Sequence, residues 1–96
     1  MYASIRRYTG VDPRLFDQLQ QLRGSLEAAL GRTPGFRSWY LVRTDEGITT
    51  VTLCDDQAGA EESVRIAGSW VRENIAEMIP SPPQVSNGEV AQQIGG

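Results

Sequence analysis

Hydrophobic residues recur along this chain with two different periods, and the change of period marks the predicted elements. The run YASIRRY, residues 2–8, is typical of a short β-strand and ends at Thr9-Gly10. Farther along, apolar residues return every three or four positions, which predicts one amphipathic helix. Its apolar stripe consists of Leu15, Leu19, Leu22, Leu26 and either Ala29 or Leu30.

Three residues indicate where this first predicted helix begins and ends. Asp12 can cap its amino end, and Pro13 suits its first turn. Gly31 stands where helices often close with a left-handed residue. We therefore expect one uninterrupted helix between Pro13 and Gly31.

The segment GFRSWYLVRTDEGITTVTLC, residues 35–54, predicts a β-hairpin. A Pro-Gly pair precedes its first strand, and the sequence TDEG reverses the chain between the two strands. Alternation along the first strand places Phe36, Tyr40 and Val42 on one face. It places Trp39 and Leu41 on the other face, so neither face of the hairpin is polar.

A second helix is predicted after Asp55-Asp56, either of which can cap it, and it runs to about Met78. Ile66 and Trp70 fall outside the centre of its apolar stripe. Prolines at positions 80, 82 and 83 end the helix, QVSNGEV (84–90) predicts a weaker last strand, and AQQIGG (91–96) predicts a tail. The stripe consists of Ala60, Val64, Ala67, Val71, Ile75 and Met78.

The order of elements is βαββαβ, which predicts an α+β, ferredoxin-like fold with a four-stranded antiparallel sheet and two helices on one face. The 96 residues are expected to form a single domain, with its core at about 2–90 and its tail at 91–96. Two helices cover only one face of the sheet. The apolar residues on the other face therefore predict a homodimer in which two sheets pack face to face.

Composition and charge exclude several classes of partner. A formal net charge of −3 provides no basic footprint for nucleic acid. No apolar run approaches the roughly 18 residues that a membrane span needs. The first ten residues, MYASIRRYTG, carry two arginines where a signal peptide would need an apolar stretch, so we expect a cytoplasmic location.

The sequence contains no histidine and a single cysteine, Cys54. It therefore lacks a histidine base, Ser-His-Asp chemistry and a histidine ligand for haem. A zinc site built from carboxylates and one thiol would be unusual, so neither a metal nor another cofactor is expected. The charges of Asp55 and Asp56 should raise the pKa of the Cys54 thiol, and we interpret this residue as a small buried hydrophobe.

Several segments together resemble the dimeric α/β-barrel superfamily, and within it the antibiotic-biosynthesis-monooxygenase-like (ABM-like) domains. They are IRRYTG, PGFRSWYLVR, the short DEG turn, the β-branched strand that follows, and a second helix that bears a tryptophan. The resemblance covers about residues 2–90. It implies a homodimer with a pocket in each subunit between the helices and the sheet. It also implies one of two activities, the oxidation of phenols by O₂ without a cofactor or the degradation of haem.

The resemblance also suggests candidate residues. The haem-degrading members use an asparagine on the first strand, a tryptophan and a histidine ligand, and this chain lacks both the asparagine and the histidine. Haem degradation is therefore not expected. The quinol-oxidising members line their pocket with Trp, Tyr, Asn and Arg, which polarise the substrate and stabilise its anion. The matching residue types here, and so the candidate catalytic residues, are Trp70, Tyr40, Asn74 and Arg65.

Each candidate also has a purely structural interpretation. A tryptophan such as Trp70 more often packs at the edge of a core than lines a pocket, and Tyr40 is equally typical of packing in a core or at a subunit interface. Arg65 is typical of an exposed helix pair with a neighbouring glutamate. Trp39 is expected at the subunit interface. Arg6 and Arg7 alternate on the first strand, so one of them is expected to turn inward, where it needs a partner.

Two functions therefore stay open at the level of sequence. One is a cofactor-independent monooxygenase acting on a small aromatic molecule, a phenol or quinol. The other is a non-catalytic homodimer that binds a small molecule or serves as an assembly module, since no titratable side chain suits a base near neutral pH. An open pocket lined by Tyr40 and Trp70 favours ligand binding, and a filled interior favours the module.

Overall fold

The computed structural model describes residues 1–95 and places all the helices on one face of a four-stranded antiparallel sheet. The strand order is β2-β3-β1-β4, which confirms the predicted ferredoxin-like α+β fold. Within the described residues, no helix is both long and apolar enough to cross a membrane. Residues 91–95 follow the last strand without forming a helix or strand, and Gly96 of the predicted tail lies outside the described residues. The elements are β1 (Tyr2–Thr9), α1 (Leu15–Gln21), α2 (Arg23–Gly31), β2 (Phe36–Thr44), β3 (Gly47–Cys54), α3 (Gln57–Asn74), a 3-10 turn (Ala76–Met78) and β4 (Gln84–Glu89).

The first predicted helix is two helices, α1 and α2, which meet at Leu22. The predicted stripe is correct, because its other leucines and Ala29 are buried while Leu22 is only partly so. The Asp12 carboxylate accepts a hydrogen bond from the Arg14 N–H at 2.9 Å, one turn ahead of the helix. The prediction for Gly31 was wrong, since Gly35 takes the left-handed conformation with φ of 70°.

The second predicted helix ends earlier than expected, at Asn74, and a 3-10 turn follows it. Asp56 caps α3 by accepting a hydrogen bond from the Gly59 N–H at 2.9 Å. Ile66 and Trp70 are buried, although they lie outside the centre of the predicted stripe. The reason is that α3 packs against α2 as well as against the sheet, so its buried face is wider than one stripe.

A β-bulge corrects the predicted faces of β2. Phe36 pairs with Cys54 and Ser38 with Leu53, so Arg37 has no partner on β3. One extra residue inverts the alternation, and Phe36 therefore joins Trp39 and Leu41 against the helices. The prediction that placed Phe36 with Tyr40 and Val42 was wrong, and so was the prediction that Trp39 faces away from the core of its own subunit.

The other face of the sheet carries apolar side chains that no helix covers. Tyr40 pairs with Val51 on β3, and Val51 pairs in turn with Ile5 on β1. Tyr40 and Val42 remain 54% and 45% exposed. We call this surface, with Ile5 and Val51, the outer face. Its exposure gives the sheet the same two-sided apolar character that the sequence of the hairpin indicates.

Two helical glycines provide a matched test of how closely α3 packs. A Cβ at Gly24 would meet no atom within 4 Å, whereas one at Gly59 would lie 2.3 Å from the Pro34 carbonyl oxygen. Gly24→Ala should therefore raise the free energy of unfolding by about 0.5–1 kcal/mol, since alanine is the better helix former. Gly59→Ala should lower it by about 1–3 kcal/mol because of the clash. Urea unfolding followed by circular dichroism measures both, and equal stabilisation by the two substitutions would contradict this packing.

Candidate functional site

A half-open cleft lies between α1, α2 and β2, with a volume of about 690 Å³. We call it the helix–hairpin cleft. Gln20, Arg23, Glu27 and Ser38 supply its polar groups, and Tyr40 lies at its border with the outer face. Arg23 Nε and Glu27 Oε2 are 3.9 Å apart and largely exposed. The apolar walls are formed by Phe16, Leu26, Leu30, Phe36, Trp39 and Leu41.

The aromatic walls of this cleft depend on the bulge in β2. Because the bulge turns Phe36 to the helix side, Phe36 and Trp39 lie on the same wall, and Phe16 reaches them from α1. The Arg43 guanidinium stacks on the Phe16 ring, 3.8 Å from its centroid. This contact holds α1 against the end of β2. The sequence pattern could not reveal the cleft, because it placed Phe36 on the opposite face.

The interior between helices and sheet is nearly filled. One cavity of about 30 Å³ lies there, lined among others by Tyr8, Trp39, Trp70 and Ile75. This volume accommodates about one water molecule. Trp39 lines both this cavity and the helix–hairpin cleft, as do Leu19, Leu26 and Leu30, so these side chains lie between the two.

A polar network surrounds Arg6, which is 2% exposed. The sequence predicted an inward arginine at position 6 or 7 but not its hydrogen-bond partners. The Arg6 Nε donates to Thr50 Oγ1 at 3.2 Å and its Nη2 to Thr52 Oγ1 at 3.0 Å. Its Nη1 donates to the Ser63 carbonyl oxygen of α3 at 3.2 Å. The expectation that one of the two arginines turns inward is correct, and Arg7 is the exposed one, bonded to Gln84. Burial lowers the pKa of the Arg6 guanidinium.

Comparisons with solved structures agree with this architecture along the whole chain. A proposed antibiotic biosynthesis monooxygenase from Bordetella bronchiseptica is 17% identical, with a TM-score of 0.72, 95% of this chain covered and 97% of that one. A variant of SnoaB, a cofactor-independent oxygenase from Streptomyces nogalater, is 15% identical, with a TM-score of 0.68, 99% of this chain covered and 97% of that one. A haem-degrading protein from Mycobacterium tuberculosis is 19% identical, with a TM-score of 0.61, 99% of this chain covered and 96% of that one.

The chain shares its fold, called here the ABM-like fold, with structures named as antibiotic biosynthesis monooxygenases. This confirms the resemblance seen in the sequence. No family model matches the sequence, and no curated protein matches it either. The ABM-like fold is thus established by the path of the backbone rather than by shared residues.

The ABM-like fold does not bring the four candidate residues into one site. Tyr40 lines the helix–hairpin cleft, while Trp70 is 6% exposed in the core, and its Nε1–H donates to Ser25 Oγ on α2 at 3.0 Å. Asn74 Nδ2 donates to the Trp70 carbonyl oxygen at 2.9 Å, where α3 ends. Arg65 is exposed and pairs with Glu62, which raises the pKa of Arg65.

Two buried groups with shifted pKa values are poor candidates for nucleophile or base. Burial raises the pKa of the Cys54 thiol, and Asp55 and Asp56 raise it further, as the sequence predicted. Burial also raises the pKa of the Tyr8 phenol, although the positive charge of Arg6 opposes this. Both groups therefore stay protonated near neutral pH. Among the described residues there is no group of three or more His, Cys, Asp or Glu side chains that could hold a metal ion.

The bond between Trp70 and Ser25 should contribute to stability. Trp70→Phe and Ser25→Ala each remove one partner, and each should lower the free energy of unfolding by about 1 kcal/mol. The double variant should show a coupling energy of about 0.5–1.5 kcal/mol in chemical denaturation. Ser69→Ala is the control, because Ser69 accepts a bond from Arg72 on the exposed side of α3. Fully additive losses from the first two substitutions would show that the bond contributes nothing.

Proposed function

We propose that this protein is a homodimeric, cofactor-independent monooxygenase that oxidises a small phenol or quinol in the helix–hairpin cleft. The observation that carries the proposal is an open cleft of about 690 Å³ with Phe16, Phe36 and Trp39 in its walls, in a chain with the ABM-like fold. Ligand pockets are typically of this size, mostly apolar, with a few polar groups. One solved neighbour of the same fold, SnoaB, is a cofactor-independent oxygenase.

The reaction needs no reductant from outside the substrate. A phenol and O₂ yield a quinone and one water, so one oxygen atom enters the ring and the other leaves as water. The phenol must first lose its proton, because the phenolate gives an electron to O₂ more readily. The aromatic walls exclude water, and Arg23 at the rim favours the anionic substrate. Ser38 and Tyr40 alternate to the outer side of β2, so in the proposed dimer their hydroxyl groups would bond the substrate oxygen from the border of the cleft.

Dimerisation through the outer face is part of this proposal. Ile5, Tyr40, Val42 and Val51 form an apolar surface that a second copy would cover by packing sheet against sheet. Tyr40 belongs both to this surface and to the border of the cleft. A partner subunit would therefore close the cleft on its open side. We place this dimer in the cytoplasm, as the sequence predicts.

The second candidate is a homodimeric module that binds a small molecule, or serves in assembly, without catalysis. It is favoured by the interior cavity of about 30 Å³, which is far smaller than a substrate pocket. It is also favoured by the cleft itself, whose ionisable lining residues are Arg23, Glu27 and Tyr40, with no histidine anywhere in the chain. A base suited to removing the phenolic proton near pH 7 is not among these.

Oxygen uptake on a panel of naphthols and hydroquinones separates the two functions. We expect turnover without added flavin and in the presence of EDTA, with one O₂ consumed per quinone formed. Trp39→Leu should lower the rate roughly tenfold to a hundredfold by removing an aromatic wall. Tyr40→Phe should lower it less, and Trp70→Phe, outside the cleft, should retain it.

Two outcomes of these measurements would contradict the proposed monooxygenase activity in the cleft. Saturable quenching of tryptophan fluorescence by these phenols, without O₂ uptake from any of them, would contradict the enzyme and support the binding module. Wild-type turnover by both Trp39→Leu and Tyr40→Phe would place the reaction outside the helix–hairpin cleft.

Light scattering tests the dimer independently of activity. At micromolar concentration the wild type should have twice the mass of one chain. Ile5→Glu should yield monomers, because it places a charge in the centre of the outer face. Val85→Glu is the matched control, since Val85 is 40% exposed but pairs with Arg6 on the helix side of the sheet. A folded wild-type monomer would contradict the proposed dimer.

A further inference from the structure

Arg6 carries a buried positive charge that no carboxylate neutralises within residues 1–95. Its three hydrogen-bond acceptors are two threonine hydroxyls and a backbone carbonyl, all of them neutral. A guanidinium has five N–H groups, so these three bonds leave two N–H groups without an acceptor in the described part of the chain. Burying a charge without a counter-ion is costly, and an anion brought to the guanidinium would offset that cost.

Arg6 borders a second cleft, on the opposite side of α3 from α2. This arginine cleft, of about 600 Å³, lies between α3, the segment Pro80–Pro83 and the start of β4. Arg65 and Arg72 stand on its α3 side, and its lining contains no Asp or Glu. Arg65 pairs with Glu62, but Arg72 donates to the Ser69 hydroxyl and has no acidic partner in the described part of the chain. Two arginines without an acidic partner therefore border the same cleft.

The rest of the arginine cleft is apolar. Val64, Val71, Ile79 and Val85 line it together with the prolines. Such a surface suits the hydrocarbon part of a ligand, whereas a fully hydrated inorganic anion gains nothing from it. The planar fork of a guanidinium matches the two oxygens of a carboxylate.

We propose that the arginine cleft binds a small organic carboxylate, with its carboxylate at Arg6 and its apolar part against Val71, Ile79 and Val85. This site shares no lining residue with the helix–hairpin cleft. It therefore stands whether or not the protein oxidises phenols. The ligand class follows from one buried cation, a second cation at the rim and an apolar wall.

A titration of ¹⁵N-labelled protein followed by NMR tests the site with benzoate and hexanoate as probes. We expect saturable shifts at the amides of Gly68, Val71 and Val85, which lie around the cleft. Benzamide, which keeps the ring and lacks the charge, should bind at least tenfold more weakly. Inorganic phosphate that binds as tightly as benzoate would overturn the proposed ligand class. So would the absence of saturable shifts with both carboxylates, or shifts confined to other parts of the chain.

The variant Arg6→Met, with Arg7→Met as its control, tests whether the charge of Arg6 binds the carboxylate. Methionine is an unbranched, flexible side chain that fills part of the space of arginine and removes its charge, and replacing a buried ion by an apolar residue is often tolerated. Arg6→Met should weaken benzoate binding at least tenfold, while Arg7→Met, on the exposed side of the same strand, should leave it unchanged. Equal affinity of Arg6→Met and the wild type would overturn the proposal.

A second pair of variants keeps the test decisive if Arg6→Met does not fold. Val85 is 40% exposed, so substitutions there should preserve the fold. Val85→Glu places a negative charge in the cleft and should weaken benzoate binding about threefold to tenfold. Val85→Gln has the same shape without the charge and should bind more tightly than Val85→Glu. Identical affinities for the two variants would show that the charge of the cleft plays no part.

Discussion

The close approach of α3 to the sheet is the contact on which the rest of the structure depends. The helix presents small residues there, including Gly59, Ala60 and Ser63. A Cβ at Gly59 would lie 3.2 Å from Cys54 Cβ at the end of β3 and would collide with the Pro34 carbonyl in the loop before β2. At this short distance the Arg6 side chain of β1 can bond the Ser63 carbonyl of α3 directly. The bulky residues of α3 are displaced to either side, with Trp70 toward α2 and Val71 toward the arginine cleft.

This packing explains why the space available for ligands lies at the sides of the molecule. Trp39 and Trp70 both line the cavity between the helices and the sheet, and within residues 1–95 its volume is about 30 Å³. The helix–hairpin cleft, walled by aromatic side chains, and the arginine cleft, bordered by cations, lie on opposite sides of this filled centre. Their chemistries differ, so the two clefts suit different parts of a ligand or different ligands altogether.

The likeness to proteins named as monooxygenases and to a haem-degrading protein concerns the backbone. At 15–19% identity the side chains that perform a reaction need not be shared. Here the chain without histidine places Arg6 at the inner face of its first strand and fills its centre with tryptophan. The common fold does not fix this chemistry, so the function of this chain depends on the residues of its own two clefts.

The sequence by itself determined the order of strands and helical segments, the helical stripe from Leu15 to Leu30 and a cap at Asp55 or Asp56, because these depend on local periodicity and local hydrogen bonds. It also indicated a sheet with two apolar faces and an inward arginine on β1.

Only the tertiary structure decided which side chains meet. The bulge at Arg37 inverted the position of Phe36, since one added residue changes the face of every residue beyond it. The packing of α3 against α2 buries Trp70, whose indole N–H donates a hydrogen bond to Ser25 Oγ. Tyr40 was left at the border between the helix–hairpin cleft and the outer face, because residues matched by type carry no information about the contacts that separate them.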